Sequence, residues 1–119
     1  MPALSLNLVV IRATDLERAR VFYEAIGLRF IPEKHGTGPE HFACDLNGVI
    51  IELYPRKSTG PVAADAVRLG FVVADLEDIV KRVASIGGQI NQPLSQSDWG
   101  LRAVVCDPDG YRVELTERV

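Results

Sequence analysis

A segment of about 60 residues occurs twice in this chain, and that repetition limits the possible folds more than any other feature. Asp15-Leu16-Glu17 returns as Asp75-Leu76-Glu77, and Ile26-Gly27 returns as Ile86-Gly87, each 60 residues on. The run Cys44-Asp45-Leu46-Asn47-Gly48-Val49-Ile50-Ile51-Glu52-Leu53 matches Cys106-Asp107-Pro108-Asp109-Gly110-Tyr111-Arg112-Val113-Glu114-Leu115, 62 residues on, with five of ten positions identical. Collinear matches at nearly one offset indicate two copies of one module in a single 119-residue domain, about 4–55 and about 66–118. The Pro-, Gly-, Ser- and Ala-rich stretch Pro55 to Asp65 joins them.

Each copy carries the same order of local signals. The apolar, β-rich runs Leu6 to Ala13 and Arg68 to Ala74 read as first strands. Asp15 and Asp75 then stand where a side-chain oxygen caps a helix. The apolar residues Leu16, Ala19, Phe22, Tyr23 and Ile26, and Leu76, Ile79, Val80, Val83 and Ile86, follow at helical spacing. Gly27 and Gly87 fall at the C-cap. Short strands are expected around Arg29 to Ile31 and Gln89 to Asn91. Closing hairpins should turn at Asn47-Gly48 and Asp109-Gly110, dipeptides suited to type I′ turns. The module is therefore βαβββ and the class α+β, with a mostly antiparallel sheet whose helix-free face curves into a cup.

Composition removes several alternatives. A hydrophobic content of 47% with 24% charged residues is that of a globular protein. The formal net charge of -3 and the lack of a basic run argue against a nucleic-acid partner. No apolar run is long enough for a membrane span, and Met1 to Val10 lacks the pattern of a signal peptide. Cys44 and Cys106 form no disulfide framework and read as reduced thiols of a cytoplasmic protein.

The stretches Val10-Ile11-Arg12-Ala13-Thr14-Asp15-Leu16, Phe22-Tyr23-Glu24-Ala25-Ile26-Gly27-Leu28 and Asp107-Pro108-Asp109-Gly110-Tyr111-Arg112-Val113-Glu114-Leu115 resemble the vicinal oxygen chelate superfamily. This superfamily includes glyoxalases, bleomycin-resistance proteins and extradiol dioxygenases. The resemblance covers nearly the whole chain and implies a metal site with four ligand positions, on the first and last strand of each module. Here those positions hold Leu8, Glu52, Arg68 and Glu114. Leucine cannot ligate, and a guanidinium has no lone pair to give and places a positive charge where the ion would be. No metal is therefore expected at these positions. Arg68 is expected to pair with Glu52, Glu114 or both.

His41 offers another route. With a two-residue turn at Asn47-Gly48, Ala43 lies opposite Glu52, and His41 is its diagonal neighbour on the cup face. Any metal would then use His41, Glu52 and Glu114, or His41 would relay a proton; otherwise it rests half-exposed against Tyr54. At the 62-residue offset its repeat partner is Ala103. Asp45 reads as a turn residue. Arg12 faces the cup by alternation and aligns with a substrate-carboxylate-binding arginine of glyoxalase I, or else is a surface arginine at a strand end. Trp99 lines the cup or sits in the core. His35, in a glycine-rich loop, receives no chemical role.

Two functions follow. In one, Glu52 or Glu114, with His41, moves a proton at a carbon next to a carbonyl, as lyases and isomerases of this superfamily do. Arg12, Arg68, Trp99 and Tyr54 then bind the substrate. In the other, the cup sequesters a small molecule without metal, as bleomycin-resistance proteins do. Two arginines favour an anionic ligand in either case, and the resemblance implies a homodimer.

Overall fold

The computed structural model describes residues 3–118. Strand β1 (Leu8–Ala13), helix α1 (Leu16–Ile26) and strands β2 (Ile31–Glu33), β3 (His41–Leu46) and β4 (Val49–Pro55) make the first half. Strand β5 (Leu69–Val72), helix α2 (Leu76–Ser85) and strands β6 (Gln89–Ser97), β7 (Gly100–Cys106) and β8 (Arg112–Glu117) repeat that order. Each half forms a four-stranded mixed sheet, ordered β1-β4-β3-β2 and β5-β8-β7-β6. The first and last strand of each half run parallel, and the remaining pairs run antiparallel. This is the tandem βαβββ, α+β arrangement that the repeat predicts.

Alternation sorts the side chains. Along β1, Ile11 and Ala13 are buried while Leu8, Val10 and Arg12 are exposed; along β4, Ile51 and Leu53 are buried between Ile50, Glu52 and Tyr54. The buried set meets Phe22, Tyr23 and Ile26 of α1. In the second half Val113 and Leu115 meet Leu76, Ile79 and Val83 of α2. α1 also packs on α2, so both halves contribute to one contiguous core.

Side-chain hydrogen bonds between the halves lie on this helix side. The Tyr23 hydroxyl donates to Asp107 Oδ2 at 2.8 Å, the Thr14 N–H to Asp109 Oδ2 at 3.0 Å, and Arg82 Nε to the Ala25 carbonyl at 3.1 Å. None among the described residues joins the helix-free face of one sheet to that of the other.

Several local expectations are corrected. Asp15 caps α1 by accepting from the Arg18 N–H at 3.0 Å, but Asp75 makes no such bond. Glu117 of β8 takes its place, its Oε1 accepting from the Leu76 N–H at 2.7 Å. The strand placed at Arg29 to Ile31 starts only at Ile31, because Arg29 folds back onto the carbonyls of Glu24 and Leu28 at the helix exit. The strand placed at Gln89 to Asn91 runs on to Ser97 through two register shifts.

The two closing turns also differ. Asn47 and Gly48 both have positive φ, 53° and 94°, as a type I′ turn requires. Asp109 does not. Pro108 fixes φ for a turn closed by the Gly110 N–H to the Asp107 carbonyl at 2.9 Å, and the loop spans five residues between the paired Cys106 and Arg112.

Asp107 is buried and accepts from the Tyr23 hydroxyl and from the Asp109 and Tyr111 amides. Burial first, and then the Asp107 charge, raise the Tyr23 phenol well above its ordinary value. Tyr23→Phe leaves a buried carboxylate oxygen short of a donor, so urea unfolding should show a loss of about 1–3 kcal/mol. The pH dependence carries a second signature. A phenol whose folded pKa is raised contributes stability that is fully present below about pH 10 and is lost as pH rises above that value. The wild type should therefore lose stability through that alkaline window, and Tyr23→Phe should lose markedly less.

Candidate functional site

The helix-free face of the first sheet gathers most of the residues singled out from sequence. Ala43 pairs with Glu52, as the two-residue turn requires, and places His41 diagonally beside that carboxylate. His41 Nε2 lies 3.4 Å from Glu52 Oε2. The imidazole stacks on Tyr54 with ring centroids 4.1 Å apart and planes 12° from parallel. Arg12 stands over the other side of this group, its guanidinium carbon 5.0 Å from the Tyr54 centroid. Arg12, Tyr54, His41 and Glu52 thus form one continuous row.

His41 does not take the half-exposed alternative. Only 2% of it reaches solvent, because Tyr54, Glu33 and His35 surround it. Glu33, opposite His41 in the β2–β3 pairing, brings Oε1 to 3.4 Å from His41 Nε2. His35, left without a role above, brings its own Nε2 to 3.4 Å from the same Glu33 oxygen. The loop sets this position: the Gly38 N–H closes a turn onto the His35 carbonyl at 2.9 Å, with Gly36 at φ +57°. Sequence spacing offered no signal for Glu33, since β2 was placed two residues too early.

The corresponding face of the second sheet differs in charge. Ala43 opposes Glu52 and Val104 opposes Glu114, so β3 maps onto β7 by 61 residues while β4 maps onto β8 by 62. The longer Asp107–Tyr111 loop absorbs the extra residue. The structural counterpart of His41 is therefore Arg102, not Ala103. Arg102 donates to Glu114 Oε1 at 2.8 Å and to Gln92 Oε1 at 2.7 Å. Arg68 approaches the same Glu114 oxygen at 3.4 Å. Among the described residues Arg68 makes no ion pair with Glu52. The Arg102 hydrogen bond above all, with Arg68 adding to it, holds the Glu114 carboxyl below its ordinary pKa.

Trp99 follows β6 and is 76% exposed, so it is not a core residue. Asp45 accepts from the Gly48 N–H at 2.9 Å, the turn role expected of it. Cys44 is buried and Cys106 partly so, and both are free thiols. A cavity of about 610 Å³ lies along the free edge of β1 and reaches β5 and β8, with Leu8, Val10, Arg12, Val67, Leu69 and Arg112 in its wall. That volume suits a small ligand.

The residues at the four positions implied for a metal do not fit one. Leu8 offers no donor, and Glu114 is already occupied by two guanidinium groups. His41, Glu52 and Glu114 do not assemble in one chain either. Among the described residues, the donors lying within 4.8 Å of one another are those of Glu33, His35 and His41.

Residues 5–115 match the family model described as the Glyoxalase/Bleomycin resistance protein/Dioxygenase superfamily. A probable chloroplastic lactoylglutathione lyase of Arabidopsis thaliana is 31% identical over 92% of this chain. The chain spans only 35% of that protein. Among solved structures, the oxidase ChaP-H2 superposes with a TM-score of 0.78 at 22% identity, covering 99% of this chain and 96% of its own. TnmS3, an antibiotic binding protein from a Streptomyces species, superposes with a TM-score of 0.76 at 22% identity over 100% of both chains.

The two guanidinium contacts on Glu114 should be separable. In Arg102→Ala the Glu114 midpoint, followed by carboxyl 13C NMR, should rise towards the ordinary glutamate value. Arg68→Ala should move it less, since that contact is longer and its side chain is 43% exposed. For the same reason Arg68→Ala should change stability by no more than about 1 kcal/mol, as expected for a solvated ion pair. A loss of several kcal/mol in urea unfolding would mean that the pair is buried in the working protein.

Proposed function

The chain belongs to the glyoxalase/bleomycin resistance protein/dioxygenase superfamily, and from that premise we propose that it acts on a small anionic molecule as a lyase or isomerase. In this reading it moves a proton at a carbon next to a carbonyl. The observation that carries the reading is the unequal treatment of the two repeat-related glutamates. Glu114 is neutralised by Arg102 and Arg68 and kept ionised, which makes it a weak base. Glu52 has no guanidinium among its described ion-pair partners and faces the imidazole of His41. Glu52 is accordingly assigned as the general base and His41 as the group that receives or relays the proton.

The remaining residues suit binding. Arg12 has its guanidinium carbon over the Tyr54 ring, leaving N–H groups for a carboxylate or phosphate. The cavity beside β1 would take the apolar part of the same molecule. Without a metal, the developing oxyanion needs a positive partner, and Arg12 is the nearest charge in the row. The lyase name of the Arabidopsis relative supports this reaction class.

A second reading rests on Leu8 and Arg68 at the metal positions: a protein that binds and sequesters its ligand without turnover. The helix-free faces also expose Leu8, Val10, Ile31 and Val72, an apolar surface that a second copy would cover. We assign the protein as a cytoplasmic homodimer whose cups lie at the subunit boundary. Light scattering at micromolar concentration should give twice the chain mass, and a monomer would refute the assembly.

Solvent exchange separates the two functional readings. In D2O, a panel of small keto and hydroxy acids, phosphates and thiol conjugates is followed by proton NMR for loss of the C–H signal next to the carbonyl. The wild type should catalyse exchange of at least one of them. Glu52→Gln should slow it by about 100-fold or more, the usual contribution of a positioned base, while Glu114→Gln stays within a few-fold. Arg12→Ala should weaken ligand binding by about 1.5–3 kcal/mol, the worth of a charged hydrogen bond. Stoichiometric binding with no exchange would select the sequestering role.

A further inference from the structure

His41 carries an electrostatic demand that no described protein group answers. Its Nδ1 lies 3.2 Å from the Pro39 carbonyl. A carbonyl only accepts, so Nδ1 holds the hydrogen, and Nε2 of the neutral ring presents a lone pair. That lone pair faces carboxylate oxygens of Glu33 and Glu52, each 3.4 Å away. Nε2 is fully buried and has no hydrogen-bond partner among the described residues. A buried lone pair set against two anionic oxygens is unfavourable unless a positive charge stands between them. A proton on Nε2 would answer part of the demand, but charge-assisted N–H···O bonds close to about 2.7–2.9 Å. The observed separations are too long for that.

They match another geometry. Two ligands on one tetrahedral ion, with metal–donor distances near 2.0–2.1 Å, stand about 3.3–3.4 Å apart. His41 Nε2 to Glu33 Oε1 and His35 Nε2 to Glu33 Oε1 are each 3.4 Å, and the three donor atoms lie within 4.8 Å of one another. The supporting contacts are also those of a ligating imidazole. Nδ1–H is held by a backbone carbonyl and the ring plane by Tyr54, which fixes the tautomer and aims Nε2.

We propose that Glu33, His35 and His41 bind a divalent transition ion, zinc or a metal of similar preference, with a fourth position left open beside Glu52. Two imidazoles and one carboxylate are a donor set that such ions favour. The ion sits on the first module alone, on β2, β3 and the loop between them, and at none of the four positions the superfamily resemblance implies. It reverses the expectation of no resident metal without needing Leu8, Arg68 or Glu114. The site stands whether or not Glu52 acts as a base, since Glu52 flanks the ion and does not hold it; with the ion bound, His41 Nε2 is a ligand, and a proton taken by Glu52 stays on Glu52 rather than passing to His41.

The test uses untagged, full-length protein purified without chelator. Elemental analysis should find about one ion per chain. After chelator treatment, titration with Zn2+ against a chromophoric competitor should restore one site, and Co2+ should give the visible d–d bands of a low-symmetry nitrogen–oxygen environment. His35→Ala is the decisive variant, because His35 is exposed and its loss does not open the core. It and Glu33→Gln should each weaken Zn2+ binding at least about tenfold, since loss of even an outer-shell partner costs that much. Glu114→Gln should keep affinity within a few-fold, while Glu52→Gln, which removes a flanking charge but no ligand, should cost less than either ligand change. His41→Ala, checked for folding by circular dichroism, should abolish binding.

Absence of both retained metal and saturable Zn2+ binding would overturn the proposal. So would a bound ion indifferent to His35→Ala and Glu33→Gln. Because these readouts need no substrate, a failure of the exchange chemistry and a failure of the metal site would be seen separately.

Discussion

The two helices bury their apolar faces against each other and against the inner faces of both sheets, and the rest of the molecule is arranged around that shared core. Once Phe22, Tyr23, Leu76 and Val83 are inside, alternation along each strand directs Glu52, Glu114, Arg12 and Arg102 to the opposite face. A one-residue slip in any strand would send these charges into the core, so the register of the sheets is set by the cost of burying them. The polar faces are as strictly specified as the hydrophobic ones, by the same constraint.

Duplication followed by a small change in turn length gives the two polar faces their different characters. The Asn47–Gly48 turn is as short as a hairpin allows, whereas the Asp107–Tyr111 loop takes one more residue into the hairpin. That residue brings Arg102 to the place His41 occupies in the first half. A histidine beside one glutamate and two arginines around the other turn a symmetric backbone into an asymmetric pair of sites. One carboxylate is saturated with positive charge. The other stands with imidazoles, a second carboxylate and an aromatic ring.

Much of this was legible in the sequence. The repeated Asp-Leu-Glu, the helical spacing and the Asn-Gly turn specify the modules, and that turn alone fixes Ala43 against Glu52 and hence His41 beside it. What was hidden depends on contacts between segments distant in sequence. Glu117 replaces Asp75 as the cap of α2, and nothing near Asp75 announces it. Glu33 joins the site because Arg29 holds back the start of β2, and His35 joins it through a turn in a loop that looked unstructured. Arg102 was missed because the hairpin offset was taken as uniform, and a single inserted residue exchanges which side chain faces out. For Trp99 the sequence leaves cup and core both open, and its exposure in the β6–β7 turn removes the core alternative.

The hydrogen bond from Tyr23 to Asp107 spans 84 residues of chain. During synthesis the first half leaves the ribosome with its central aromatic lacking a partner, and the acceptor is made only with the closing hairpin of the second half. Closing so long a loop is entropically costly and slow. The nascent first half therefore waits with the side of α1 that packs on α2 uncovered, and that interval is when it is open to chaperones or to the same segment of a neighbouring nascent chain. One buried hydroxyl thus ties the completion of the first half to the closing hairpin of the second.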